Sequence, residues 1–247
     1  MRVLVAVPAL NEAAVIGQVL QSLSATHPLE DVVIVDDGSR DATASIARAQ
    51  GARVVSHAIN LGVGAAMGTA FKYAVHNGYD AVIQFDGDGQ HRPEHIAELV
   101  AALTGADIVV GSRFAGGGQF KSSAARRGVQ RFIARVVSLY ARTRLTDATS
   151  GFRIAGPRAL AVFAEHYPVE WLGDTVESIV LATRQNLTVR EIPVVMNERA
   201  GGTPSQSIFR ATLYTGRILF ILGLASIRSV PPQLRALRRQ ESREVTT

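Results

Sequence analysis

The sequence predicts an α/β protein built on a doubly wound, mainly parallel sheet. Strand and helix patterns alternate through the first half of the chain. Polar clusters follow the strand patterns, where ligands bind in open sheets of this kind. The chain has 247 residues, 47% of them hydrophobic, enough for one large domain or a domain with a tail.

Residues 2–7, within Met1-Arg2-Val3-Leu4-Val5-Ala6-Val7-Pro8, form an apolar run too short for a signal peptide and read as a first strand. Residues 12–24 carry helical spacing in Val15, Ile16, Val19, Leu20 and Leu23. A strand over 31–35, a helix over 41–50 and a short strand over 53–56 follow. Next come a helix over 63–77 and a strand over 81–85. Pro93 suits the first turn of a helix running to about Leu103, and 107–110 is another strand. In the second half, Gly116-Gly117-Gly118 precedes a basic helix over 122–142. Helical segments are expected over 157–164 and 174–185, a strand over 187–195 and a loop over 197–205.

Four strand ends are polar. They read Asn11-Glu12, Asp36-Asp37-Gly38-Ser39, Asp86-Gly87-Asp88 and Gly111-Ser112-Arg113. Helix caps at Asp36, Ser39 and Asp41 account for one end, though not for all four. Asp86 and Asp88 stand two residues apart after an apolar run, so an extended segment would point both the same way. Glycines at 87 and 89 let a ligand approach the backbone, although Asp and Gly also make ordinary turns. Hard oxygen ligands in this pattern suit Mg²⁺ or Mn²⁺, ions that commonly carry phosphates.

The net charge is +5, and of 26 basic residues only Lys72 and Lys121 are lysines. Arginine presents a planar fork that grips phosphate bidentately. A basic balance fits a phosphorylated substrate, anionic lipid or nucleic acid. With 6% aromatic residues and no interleaved basic and aromatic motif, nucleic acid is not the expected partner. There is no cysteine, which excludes disulfides, zinc–thiolate sites and a cysteine nucleophile.

Residues 211–227 are nearly apolar but short for a bilayer span and interrupted by Arg217. They read either as an interfacial helix or as an amphipathic helix closing the core. The expected organisation is a main domain over 1–207, an apolar helix over 208–227 and a basic tail over 228–247.

Taken in order, the motifs resemble those of family 2 glycosyltransferases of the GT-A fold, most of all the dolichol- or polyprenyl-phosphate sugar synthases. They are Val7-Pro8-Ala9-Leu10-Asn11-Glu12, the run from Val35 to Thr43, Asn60-Leu61-Gly62-Val63-Gly64 and Asp86-Gly87-Asp88-Gly89-Gln90. Gly111-Ser112-Arg113-Phe114, Ser150-Gly151-Phe152-Arg153 and Arg199-Ala200-Gly201-Gly202 complete the set. The resemblance implies a nucleotide diphosphate sugar donor touching Pro8, Leu10, Asn11, Glu12, Asp37, Gly64, Asp86, Gly87 and Arg199. It implies Mg²⁺ or Mn²⁺ on Asp86, Asp88 and Gln90, with Asp88 needed for catalysis. A polyprenyl phosphate acceptor is already ionised and requires positive charge, with Arg113, Arg126, Arg127, Arg131, Ser205 and Ser207 as candidates. Arg113 and Arg199 match motif positions. An acceptor hydroxyl would instead need a base, for which Asp174 and Glu177 are the candidates. A non-catalytic binding module is the third reading. The motifs depart from many relatives at Val63, where a lysine is often found, and at Gln206, where a basic residue is common. The resemblance implies a cytoplasmic protein at the cytoplasmic face of a membrane, bound peripherally or through a membrane partner protein, with a homo-oligomer as a further expectation.

Overall fold

The computed structural model describes residues 1–115, 124–141, 143–168 and 174–197. Strands β1 (Val3–Ala9), β2 (Val32–Asp36), β3 (Arg53–Ser56), β4 (Ala81–Gln84), β5 (Ile108–Ser112), β6 (Arg153–Ala155) and β7 (Val189–Pro193) share one sheet. The helices are α1 (Ile16–Ser24), α2 (Thr43–Ala49), α3 (Val63–His76), α4 (Ile96–Ala102), α5 (Ala124–Ala141), α6 (Pro157–His166) and α7 (Asp174–Arg184). The apolar helix expected over 208–227 and the basic tail lie outside the described residues.

The period-2 alternation of β1 sorts the core into two layers. Val3, Val5 and Val7 face Ile16, Val19, Leu20 and Leu23 of α1, Ala47 of α2, and Ile96 and Leu99 of α4. Leu4 and Ala6 face the other way, into a layer holding Met67 and Phe71 of α3, Ile133 and Val137 of α5, Phe163 of α6 and Ile179 of α7. Helices therefore cover both faces, and the central strands are buried throughout.

Strand order across the sheet is β3-β2-β1-β4-β6-β5-β7. From β1 the chain winds outward to β3, then returns to place β4 on the other side of β1. This reversal opens a crevice beyond the carboxyl ends of β1 and β4, the usual ligand position in such sheets. The mainly parallel sheet follows the sequence expectation, with one addition. β6 lies antiparallel between β4 and β5, pairing Arg153 with both Gln84 and Val110. Three residues are too few for a readable alternation, so the sequence showed no strand there. Because β6 runs backwards, its beginning lies where its neighbours end. Residues 147–152 thus arrive at the same edge as the polar strand ends.

Arg153 fixes that arrival. It is 3% exposed, and its guanidinium donates to the Ser150 carbonyl from Nε (3.2 Å) and Nη2 (2.6 Å). Nη1 donates to the Thr175 carbonyl (3.1 Å) and Ser178 Oγ (2.8 Å), joining the first turn of α7 to β6. Arg153→Met should lower unfolding stability by about 2–4 kcal/mol, because it strips donors from buried acceptors. Urea denaturation of the two proteins measures this, and an unchanged midpoint would show that the fork carries no net stability.

Candidate active site

The site is built on the strand ends. After β1 the backbone turns at Asn11, which has φ 55°. The Asn11 amide donates to Ser39 Oγ (2.9 Å), and its Oδ1 accepts the Arg40 amide (2.9 Å). Glu12 donates its amide to Thr43 Oγ1 (2.8 Å), while its carbonyl accepts the amides of Val15 and Ile16. Residues 11–15 therefore form a turn leading into α1, which begins four residues later than the spacing predicted. Pro8 lies within β1, Leu10 just beyond it, and Gly64 is buried in the first turn of α3.

The cap-like reading of the second strand end is realised in part. Asp36 accepts the Ser39 amide (3.1 Å), and Asp41 accepts the amides of Thr43 and Ala13. Asp37 does something different. It is 4% exposed, with Oδ1 facing the Leu61 amide (2.9 Å) and His57 Nδ1 (2.8 Å), and Oδ2 accepting the Gly62 amide (2.7 Å). It holds the loop 57–62 over Gly38. A Cβ on Gly38 would fall 2.6 Å from the Ile59 carbonyl carbon, and its φ of 77° also favours glycine.

β4 ends at Gln84 and a turn begins at Gly87, so Asp86 and Asp88 do not share the extended segment expected at the strand end. Asp88 Oδ1 accepts the Gln90 amide (3.0 Å), and Gly89 has φ 77°. Asp86 keeps a carboxylate that is 37% exposed. Its contacts with described residues are long, 3.4 Å from Oδ1 to Gln84 Nε2 and 3.4 Å from Oδ2 to His91 Nε2. His91 Nδ1 accepts the Asp86 amide (2.9 Å), which leaves the ring proton on Nε2, facing Oδ2. The ring stacks on Phe152, with centroids 4.6 Å apart, and meets the Phe85 ring edge-on.

Arg113 follows β5. Its guanidinium grips Asp147 through Nε (2.6 Å) and Nη2 (2.8 Å), and Nη2 also donates to Thr149 Oγ1 (3.0 Å). Burial alone would lower the Arg113 pKa, but hydrogen bonding and ion pairing with Asp147, aided by the Asp86 charge, raise it above the usual arginine value. Glu191 of β7 accepts the Thr146 amide (2.8 Å) and the Asp147 amide (2.7 Å), fixing the turn that carries Asp147.

Arg126, Arg127 and Arg131 lie on α5, Arg131 with an exposed side chain. Asp174 and Glu177 lie on the first turn of α7, the turn that Arg153 ties to β6. Asn197 donates its amide to the Gln90 carbonyl (2.9 Å), and its Oδ1 accepts from Arg92 Nε (2.9 Å). The chain therefore leaves the described region beside the 86–90 turn. Arg199, Ser205 and Ser207 lie outside the described residues. The structure thus brings Asn11, Glu12 and Asp37 to one side of the crevice and Asp86, Asp88, Gln90 and Arg113 to the other. It adds His57, His91, Asp147 and Glu191, none of which had a spacing signal of its own.

The chain matches the description "Glycosyl transferase family 2" over residues 4–163 and is a member of that family. An undecaprenyl-phosphate mannosyltransferase of Micrococcus luteus is 31% identical over 217 residues, 84% of this chain and 88% of that protein. A UDP-N-acetylglucosamine–dolichyl-phosphate N-acetylglucosaminyltransferase of Methanococcus voltae is 29% identical over 208 residues, 76% of this chain and 82% of that one. In fold the chain resembles glucosyl-3-phosphoglycerate synthase from Mycobacterium tuberculosis, solved with Mn²⁺, uridine diphosphate and phosphoglyceric acid. That match has a TM-score of 0.68 at 22% identity and covers 92% of this chain and 79% of that chain. The protein is a glycosyltransferase of the GT-A fold, as its motifs implied.

Burial pushes the His91 pKa below its ordinary 6.5, against the pull of the Asp86 and Asp88 charges. The unfolded chain then takes up a proton near that value which the folded chain refuses. Stability is full above about pH 6.5 and falls as the pH drops toward the folded pKa. Denaturation between pH 7 and pH 5 should show this loss. His91→Gln, which keeps an acceptor for the Asp86 amide, should flatten it, and an equally steep profile would place the titration elsewhere.

Proposed function

We propose that this glycosyltransferase moves a sugar from a nucleotide diphosphate sugar to a polyprenyl phosphate, inverting the anomeric carbon by direct displacement. The observation that carries the reading is an Asp86 carboxylate that is 37% exposed and has no short hydrogen bond to a described residue, at the switch-point crevice. The names of the two relatives support the lipid phosphate.

The residues fit a divalent ion that arrives with the donor. Among the described residues no group of three or more His, Cys, Asp or Glu is gathered for a metal. Asp86, Asp88 and Gln90 supply a small set of oxygen donors, and Mg²⁺-like ions complete such a set with water and substrate phosphates. When bound, Mg²⁺ or Mn²⁺ neutralises the leaving diphosphate. On the other side of the crevice, Asn11 and Glu12 offer polar groups to the nucleoside. Asp37 contributes through the Asn60–Gly62 backbone it holds.

A lipid phosphate needs no general base, so the chain's task is to hold it beside the sugar. Arg113, its guanidinium ion-paired with Asp147, is one candidate at the crevice, and Arg126, Arg127, Arg131 and Arg199, with Ser205 and Ser207, are the others. No helix among the described residues is long and apolar enough to cross a membrane. We place the protein peripherally at the cytoplasmic face, with 208–227 as the contacting segment.

Asp88→Ala should reduce metal-dependent turnover by about 100-fold or more, given what charge-stabilising groups contribute in such sites. Full activity in that variant would remove Asp88 from the reaction. With labelled nucleotide sugars and membrane lipid extract, the label should enter an organic-soluble phosphate-linked sugar. Labelling only soluble hydroxyl acceptors, with loss in Glu177→Gln, would assign a base and a different acceptor instead.

A further inference from the structure

Asp86 is held in place by a segment from another strand. A Cβ built on Gly151 would lie 2.8 Å from Asp86 Oδ2, 3.0 Å from Oδ1 and 3.1 Å from Gln84 Nε2. Real Cβ atoms almost never come within 3.0 Å of another heavy atom. Backbone shape does not demand glycine here, since Gly151 has no positive φ. The atoms in the way are the ends of the Asp86 and Gln84 side chains, so a Cβ at 151 would displace the Asp86 carboxylate rather than backbone.

The next residue completes the arrangement. Phe152 is fully buried and stacks on His91, whose Nε2 faces Asp86 Oδ2 at 3.4 Å. One dipeptide at the start of β6 therefore clears room for the carboxylate and orients the ring beside it. Asp37 and Asp147, by contrast, are engaged by hydrogen bonds of 2.6–2.9 Å. Asp86 is packed in position while its oxygens keep the capacity to bind an ion.

We propose that Gly151 and Phe152 are positioning residues for Asp86, setting the direction of its carboxylate toward a divalent ion bound with the donor diphosphate. This inference rests on the metal reading above. Any side chain at 151 turns the carboxylate out of line, and loosening the Phe152–His91 stack frees it to rotate. The role is to aim the carboxylate, so the effect falls on the ion.

Binding of Mn²⁺ to the full chain in the presence of uridine diphosphate, followed by the electron spin resonance of free Mn²⁺, tests this without turnover. Gly151→Ala should weaken Mn²⁺ binding about tenfold or more, toward the level of Asp86→Asn, as loss of groups that orient a ligand commonly does. Metal-free binding of uridine diphosphate should stay within about twofold of wild type, because the nucleoside side of the crevice is untouched. Gly128→Ala, where a Cβ meets nothing within 4 Å, should bind both as wild type does. Wild-type Mn²⁺ binding with unchanged affinity in Gly151→Ala overturns the inference alone. No Mn²⁺ binding by the wild-type chain overturns the metal reading and the inference with it. If Gly151→Ala does not fold, Phe152→Leu reads the other half of the arrangement. It keeps an apolar side chain, unstacks His91 and should weaken Mn²⁺ binding about threefold, somewhat less than loss of a direct orienting contact. Wild-type affinity there contradicts the proposal.

Discussion

β6 runs against its neighbours, and the site depends on that reversal. A parallel strand at this place would deliver its beginning to the far edge of the sheet. Antiparallel pairing of Arg153 with Gln84 and Val110 brings residues 147–152 to the carboxyl ends of β4 and β5 instead. Asp147 then reaches Arg113, Gly151 reaches Asp86, and Phe152 reaches His91. Arg153 secures the geometry by binding the Ser150 carbonyl and the first turn of α7.

The carboxylates at this edge divide the work by environment. Asp37 is buried and hydrogen bonded to the 57–62 loop, so its charge shapes a wall. Asp147 neutralises and aims Arg113, and is itself fixed through Glu191. Asp88 tightens the 88–90 turn. Asp86 alone among these four combines substantial exposure with long contacts, the condition for a group reserved for a ligand. Charge-bearing residues with short internal partners serve structure first, whatever motif they stand in.

Much of this was legible in the sequence. The alternation of β1, α1, β2, α2, β3, α3 and β4 is carried by long periodic runs, and each element appears within a few residues of its expected place. The polar strand ends marked the crevice because the parallel topology determines where ligands bind. The rest was hidden for physical reasons. β6 has three residues and no period. The Asp86–Asp88 pair resembled a strand end, yet pairing stops at Gln84 and a turn begins at Gly87, so the two do not share an extended segment. His91, Asp147 and Glu191 matter through contacts between residues far apart in sequence, such as the 44 positions between Asp147 and Glu191. The space requirement at Gly151 arises only when β6 lies beside β4.

The central claim is that this crevice binds a nucleotide diphosphate together with a divalent ion coordinated by the Asp86–Asp88 turn. Calorimetric titration of uridine and guanosine diphosphates, each with and without Mn²⁺, tests it most directly. The account predicts that one of them binds, that Mn²⁺ tightens its binding, and that Asp86→Asn removes the gain while metal-free binding persists. Nucleotide binding indifferent to Mn²⁺, or a gain that survives Asp86→Asn, would contradict it.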